Sequence, residues 1–209
     1  MFIVDFDDTL FDTHSYKQVL FDSVRPLGVT EEIFWKSYQQ AKQNEWGKAA
    51  YSDRRHAQML ALYNFEEGKV FEALQNVNKR VKEFLFPDAV SFLEGINKLD
   101  DTVVLLSLGD PETQEMKVKG CGIDHFFDRM FMVNEKKSQI IHEVVGNHEK
   151  TSIWFINDKV RETKEVVEKY PSLKVVLRKS PSIDIQEYEE SGFPFFSSLN
   201  EILEYVKQQ

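Results

Sequence analysis

Asp5, Asp7, Asp8 and Asp12 crowd the end of an apolar run in the opening MFIVDFDDTLFDT. Carboxylates this close raise one another's pKa unless a cation compensates. They either splay into water or hold a metal ion. Two later apolar runs end in groups of matching chemistry. Ser107 closes VVLLS, and Asp158 follows SIWFIN, with Glu162 four residues on. If these runs lie side by side as parallel strands, Asp5, Asp7, Ser107 and Asp158 converge at their carboxyl ends, where open parallel sheets bind ligands. A hard divalent cation such as Mg²⁺ could then hold Asp5 and Asp158 together, since it favours carboxylate and carbonyl oxygens and keeps several waters.

A carboxylate, a metal ion, a hydroxyl and a lysine make a kit for phosphoryl transfer. The metal offsets repulsion between an anionic nucleophile and an anionic phosphate and stabilises the in-line transition state. In this reading Asp5 attacks phosphorus and forms an aspartyl-phosphate. Asp7, two residues on in an extended chain, protonates the leaving oxygen and then deprotonates the hydrolytic water. Thr9 and Ser107 hydrogen-bond the phosphoryl oxygens. Lys136 or Lys137, just past the run MFMV, completes the anion clamp.

The elements that must carry these groups follow from the apolar pattern. Short runs at 1–4, 103–106, 130–133, 152–156 and 173–177, with a weaker one at 193–196, read as strands buried on both faces. Helical stretches at 89–99, 111–119, 138–145, 160–169 and 199–207 alternate with them, which predicts right-handed crossovers and a mostly parallel sheet between two helical layers. Residues 13–85 break the rhythm: apolar residues recur there at helical spacing, for instance Tyr16, Val19, Leu20 and Val24. Turn signals at Pro26-Leu-Gly28, Glu45-Trp-Gly47 and 64–68 divide the stretch into three or four helices. The expected architecture is a core of 1–12 and 86–209 with a helical cap of 13–85 inserted after the first strand. Pro87-Asp88 is expected to cap the helix that returns to the sheet.

Composition narrows the function classes. With 26 Lys and Arg against 35 Asp and Glu, the net charge is −9, and no basic stripe offers a nucleic-acid or anionic membrane surface. The single cysteine, Cys121, permits no internal disulfide and no cysteine metal site. No segment approaches 18 apolar residues, and the first strand starts at Met1, so a cytoplasmic protein without a signal peptide is expected. The oligomeric state is not legible.

Taken together the motifs resemble those of the haloacid dehalogenase-like (HAD) superfamily. DFDDT (Asp5 to Thr9) is similar to its first motif, VVLLS to the second, the lysine of NEKKS to the third and IWFINDKVRE to the fourth, in order along the chain. The resemblance implies a Rossmann-like three-layer core with a helical cap of the superfamily's first class. It implies Asp5 as nucleophile and Asp7 as acid/base. It also implies Mg²⁺ held by the Asp5 carboxylate, the Asp7 backbone carbonyl and Asp158, with Glu162 acting through a bound water. Asn157 replaces the usual glycine before the fourth-motif Asp, and Glu162 replaces an Asp. No proline follows the third-motif lysine, so its register is open by one residue. The apolar face Ile140, Ile141, Val144 and Val145 favours Lys136 over Lys137.

Other polar residues read as structural. Asp8 and Asp12 suit solvated turns, Asp110 an N-cap before Pro111, and His142 and His148 surface positions. Lys48, Arg54, Arg55 and His56 either greet an anionic substrate or form one solvated face of a cap helix. The function expected is hydrolysis of a small phosphorylated metabolite. The alternatives are a phosphomutase, a dehalogenase using Asp5 on carbon, and a non-catalytic binding protein on the same fold. The paired Asp7 and Asp158 count against the dehalogenase.

Overall fold

In the computed structural model, which describes residues 1–42, 51–99, 101–146 and 152–209, the apolar runs become one parallel sheet. Its strands are β1 (Phe2–Val4), β2 (Val103–Leu108), β3 (Arg129–Val133), β4 (Trp154–Asn157), β5 (Lys174–Arg178) and β6 (Phe195–Phe196), in the order β3-β2-β1-β4-β5-β6. Within the inserted stretch after β1 lie four α-helices among the described residues: α1 (Thr13–Val24), α2 (Glu31–Lys42), α3 (Asp53–Ala61) and α4 (Glu67–Asn78). Then come α5 (Ala89–Asn97) before β2, α6 (Pro111–Cys121) before β3 and α7 (Lys137–Val145) before β4. The last are α8 (Val160–Lys169), α9 (Ile185–Ser191) and α10 (Leu199–Lys207).

Side chains alternate across β1, so its residues feed two cores. Phe2 and Val4 join α5, α6, α10 and the inserted helices in one apolar cluster. Met1 and Ile3 pack with Ile141 and Val144 of α7, Val160 and Val166 of α8 and Tyr188 of α9 in the other. Both faces of the sheet are covered, which is why the strands read as continuous apolar runs. The first cluster runs on into the insertion through Phe11, Tyr16, Leu20 and Phe34, so the inserted helices share a core with the sheet.

The two chain segments joining the insertion to the sheet run antiparallel. Phe11 bridges Leu85, the Asp12 N–H donates to the Phe84 carbonyl (2.7 Å), and the Phe86 N–H donates to the Leu10 carbonyl (3.0 Å). Arg178, at the end of β5, stacks on the Phe86 ring at 3.3 Å and donates to the Asp8 carbonyl at 3.1 Å. It thereby touches both connections.

Several local expectations change. Asp88 occupies the N-cap position of α5, but its carboxylate accepts from the Leu199 and Asn200 N–H groups at the start of α10. Asp12 is no idle turn residue: it caps α1, accepting from the Ser15 N–H at 2.8 Å. Asp8 is half-buried, with a left-handed φ of 60°. His56 is fully buried, so the basic group of α3 is not one solvated face. Arg54 lies over the Phe71 ring and Arg55 donates to the Ala41 carbonyl. α9, which the sequence pattern did not signal, is anchored by the buried Tyr188. The turn at 45–47, Lys48 and His148 lie outside the described residues.

Candidate active site

β1 stands between β2 and β4, with Val4 opposite Leu105 on one side and Ile156 on the other. One step beyond, the Asp5 N–H donates to the Ile156 carbonyl at 2.9 Å. Asp5, Ser107 and Asp158 therefore leave three adjacent strands at the same rim, and each is buried. Thr9 is buried beside them, its hydroxyl 3.3 Å from Asp5 Oδ2.

The lysine register differs from the one favoured by the apolar spacing. Lys137, the first residue of α7, reaches Asp5 Oδ1 at 2.6 Å, Glu162 at 2.8 Å and Asn157 Oδ1 at 3.1 Å. Lys136 is the N-cap, points into solvent and pairs with Glu165. The helix starts one residue earlier than expected, which rotates Lys137 inward. Burial disfavours the Lys137 ammonium, but Asp5 and Glu162 outweigh that and raise its pKa. Burial raises the Asp5 pKa despite the opposing pull of Lys137. Glu162 also accepts from Asn157 Nδ2 at 3.1 Å; burial opposes its charge, yet Lys137 and Lys159 hold its pKa below the usual range.

Two residues of α6 escaped sequence reasoning. Lys117 binds Asp7 Oδ1 at 2.6 Å, and Gln114 Nε2 donates to both Asp7 Oδ2 (2.7 Å) and Ser107 (2.5 Å). Thr13 adds a bond to Asp7 Oδ1 at 2.9 Å. Burial alone would raise the Asp7 pKa, but Lys117 and these donors hold it well below the carboxylate range. The Lys117 ammonium lies 5.1–5.7 Å from the ring centroids of Phe6, Phe11 and Tyr16. A signal existed: Gln114 and Lys117 are three apart on the helix that follows Ser107, so they share a face.

Asp158 is buried and neither carboxylate oxygen has a hydrogen-bond partner. Burial pushes its pKa up to about 8, against Lys159, and the Asp5 charge adds to the rise. An uncompensated buried carboxylate is costly unless a cation meets it. Two carboxylates and the Asp7 main-chain carbonyl match the oxygen donors a hard divalent ion takes. No cluster of three or more His, Cys, Asp or Glu side chains is set for a metal among the described residues. Asp5 and Asp158 supply two carboxylates at this rim, and Asp5 is meanwhile drawn to Lys137. The donor chemistry fits a divalent cation on the strength of the orphaned Asp158.

A cleft of about 440 Å³ opens between this rim and the inserted helices, with Asp7, Asp8, Gln114 and Lys117 on the sheet side and Tyr16, Lys17, Tyr38, Lys42 and Tyr51 opposite. Cys121 is buried with its pKa pushed up to about 12 by burial, so it offers no nucleophile. No helix among the described residues is long and apolar enough to cross a membrane.

A profile described as hydrolase, haloacid dehalogenase-like hydrolase, matches residues 1–150. No curated protein matches the chain in sequence. Among solved structures, a Burkholderia xenovorans protein assigned as a haloacid dehalogenase-like hydrolase superposes with a TM-score of 0.76 at 19% identity, over 97% of this chain and 96% of its own. A Thermotoga maritima protein assigned as a β-phosphoglucomutase gives 0.70 at 16%, over 99% and 98%. The L-2-haloacid dehalogenase of Xanthobacter autotrophicus gives 0.67 at 15%, over 100% and 98%. At such identities the likeness is one of fold.

Proposed function

The chain belongs to the haloacid dehalogenase-like hydrolase family, and from that premise we propose that it is a Mg²⁺-dependent phosphatase of small phosphomonoesters. The observation that carries this reading is Asp158, a buried carboxylate with both oxygens unpaired. Displacement of halide from carbon by Asp5 calls for no metal and leaves such a group without a purpose.

The Asp5 carboxylate, the Asp7 carbonyl and Asp158 would hold the ion, which when bound neutralises charge between nucleophile and phosphoryl oxygens. Asp5 attacks phosphorus, the bond from phosphorus to the ester oxygen breaks, and that oxygen takes a proton from water through Asp7, leaving an aspartyl-phosphate and the free alcohol. Lys137, steadied by Glu162 and Asn157, and the Ser107 and Thr9 hydroxyls bind the phosphoryl oxygens. Glu162 is assigned to holding that lysine. Asp7 takes three donors from the protein, and an ionised carboxylate has about four acceptor sites, leaving one for an incoming proton donor. Held ionised, it is poised as the base that deprotonates the water attacking the intermediate. The inserted helices act as a cap, closing the cleft over the reacting groups.

Phosphate release from an aryl phosphate, with and without Mg²⁺, tests the reading. Wild type should turn over only with the ion, and Asp5→Asn should lose at least about a thousandfold in kcat/KM. No release by wild type, or unchanged release by Asp5→Asn, rejects it. Metal-independent release of halide from a 2-haloacid would favour the dehalogenase.

A further inference from the structure

Four lysines line the cleft, and they are not equivalent. Lys117 is ion-paired with Asp7, and Lys159 is surrounded by the charges of Asp158, Asp5 and Glu162. Lys17 on α1 and Lys42 at the end of α2 make no ion pair among the described residues. Lys17 is half-buried, its ammonium 5.6 Å from the centroid of the Tyr38 ring. Asp7 and Asp8 act on it only from beyond ion-pairing distance, while burial and the like charge of Lys42 both work against its ammonium. Withdrawing an ammonium from water without a carboxylate or phosphate partner is unfavourable, and an aromatic face offsets only part of that.

The tyrosines around these lysines divide in the same way. The Tyr16 hydroxyl donates to Asn78 at 2.6 Å. The Tyr51 hydroxyl lies 3.4 Å from Asp53 and 3.2 Å from His56 Nδ1. Both hydroxyls are tied into the cap interior, leaving ring surface to the cleft. Tyr38, beside Lys17, has no hydrogen bond to its hydroxyl among the described residues. Among the described residues the cap thus offers two uncommitted ammonium groups, one uncommitted hydroxyl and two ring faces, on the wall opposite the reacting carboxylates.

We infer that the cleft takes a phosphomonoester carrying a second anionic group, a carboxylate or a further phosphate, held by Lys17, Lys42 and the Tyr38 hydroxyl. The carbon skeleton between the two anions lies against Tyr16 and Tyr51. The assignment rests on the phosphatase reading of the same cleft. A volume of about 440 Å³ suits a small metabolite.

Matched substrates test it. Phosphate release is measured for 4-carboxyphenyl phosphate, 4-(phosphonomethyl)phenyl phosphate and the neutral 4-carbamoylphenyl phosphate, and for 2-carboxyethyl against 2-carbamoylethyl phosphate. In one length class the anionic member should exceed its neutral partner in kcat/KM by about 10- to 100-fold, the worth of a charged hydrogen-bonded contact. The phosphonate arm tells a phosphate site from a carboxylate site. Lys17→Met should bring the ratio near one, and Lys17→Arg should retain most of it. Because each ratio is internal to one protein, partial loss of folded enzyme does not mimic the effect. Ratios within about twofold of one in wild type at both lengths, with the esters still hydrolysed, overturn the subsite and leave the phosphatase reading standing. No release from any ester overturns both.

Discussion

Adjacent lysines, Lys136 and Lys137, differ by burial and partners, and that difference is measurable. Lys137→Met leaves Asp5 and Glu162 buried without their cation, which should cost about 3–5 kcal/mol of stability. The same change should lower kcat/KM by about a hundredfold or more, as loss of one preorganised donor does. Lys136→Met breaks only an exposed pair with Glu165, and its stability should change by no more than about 1 kcal/mol. Urea denaturation and phosphate release check both. His56 makes a second case. It is buried between Ser37, 3.0 Å from Nε2, and the Tyr51 hydroxyl. Burial lowers its pKa to about 4 from 6.5. The unfolded chain therefore binds the proton first as pH falls, so stability is full above about 6.5 and declines toward pH 4, by up to about 3 kcal/mol from this group. His56→Gln should flatten that part of the acid limb in a melting-temperature series; an unchanged slope would mean the ring is not buried neutral.

At two helical glycines a neighbouring side chain fills the space a Cβ would take. A Cβ at Gly120 of α6 would overlap Val81 of the 3₁₀ turn that closes the insertion, and one at Gly95 of α5 would overlap the end of the Leu203 side chain on α10. Leu203 can swing its methyl groups, whereas Val81 is branched at Cβ and held by its turn. Gly120→Ala should destabilise by about 1–3 kcal/mol through overpacking. Gly95→Ala should stay within about 1 kcal/mol of wild type, because the Leu203 end can rotate away and the gain in helix propensity offsets what strain is left. Since α6 also carries Gln114 and Lys117, Gly120→Ala should disturb Asp7 as well, which phosphate-release kinetics would register. Asp88 makes a related point at this scale: an acid at one helix start serves the first turn of a different helix, a pairing that local sequence patterns do not encode.

Asp158 links the stability of the sheet to pH and, on the proposed function, to a bound ion. Burial pushes the Asp158 pKa up to about 8, so without metal the folded chain holds that proton while the unfolded chain releases it near 4. This contribution is full below about 3.8 and is lost as pH rises through about 8, opposite in sign to His56. At pH 7 Asp158→Asn should be nearly neutral without metal, within about 1 kcal/mol, because it resembles the protonated acid already present. Mg²⁺ at a hundred times its dissociation constant should stabilise wild type by about 2.7 kcal/mol. That amounts to a rise in melting temperature of about 5–10 °C for a chain of this size. Asp158→Asn should lose the rise. A variant that keeps it would remove Asp158 from the metal site. Arg178, on both connections between sheet and insertion, ties this rim to the inserted helices.

The strands and the groups at their tips were legible because buried parallel strands leave continuous apolar runs, and a chemical group placed just after such a run has only one end of the sheet to occupy. Asp5, Ser107 and Asp158 were readable on that ground, as was the helical insertion from its change of period. The tertiary structure alone decided three things. It selected Lys137 over Lys136, because one residue of helix register rotates a side chain by about 100°. It brought Gln114 and Lys117 to Asp7, contacts between residues more than a hundred positions apart. It set Lys17, Tyr38 and Lys42 on one wall of the cleft. Periodicity reports which face of an element is buried. Which neighbour that face meets depends on packing, and the chemistry of the cleft is written in those meetings.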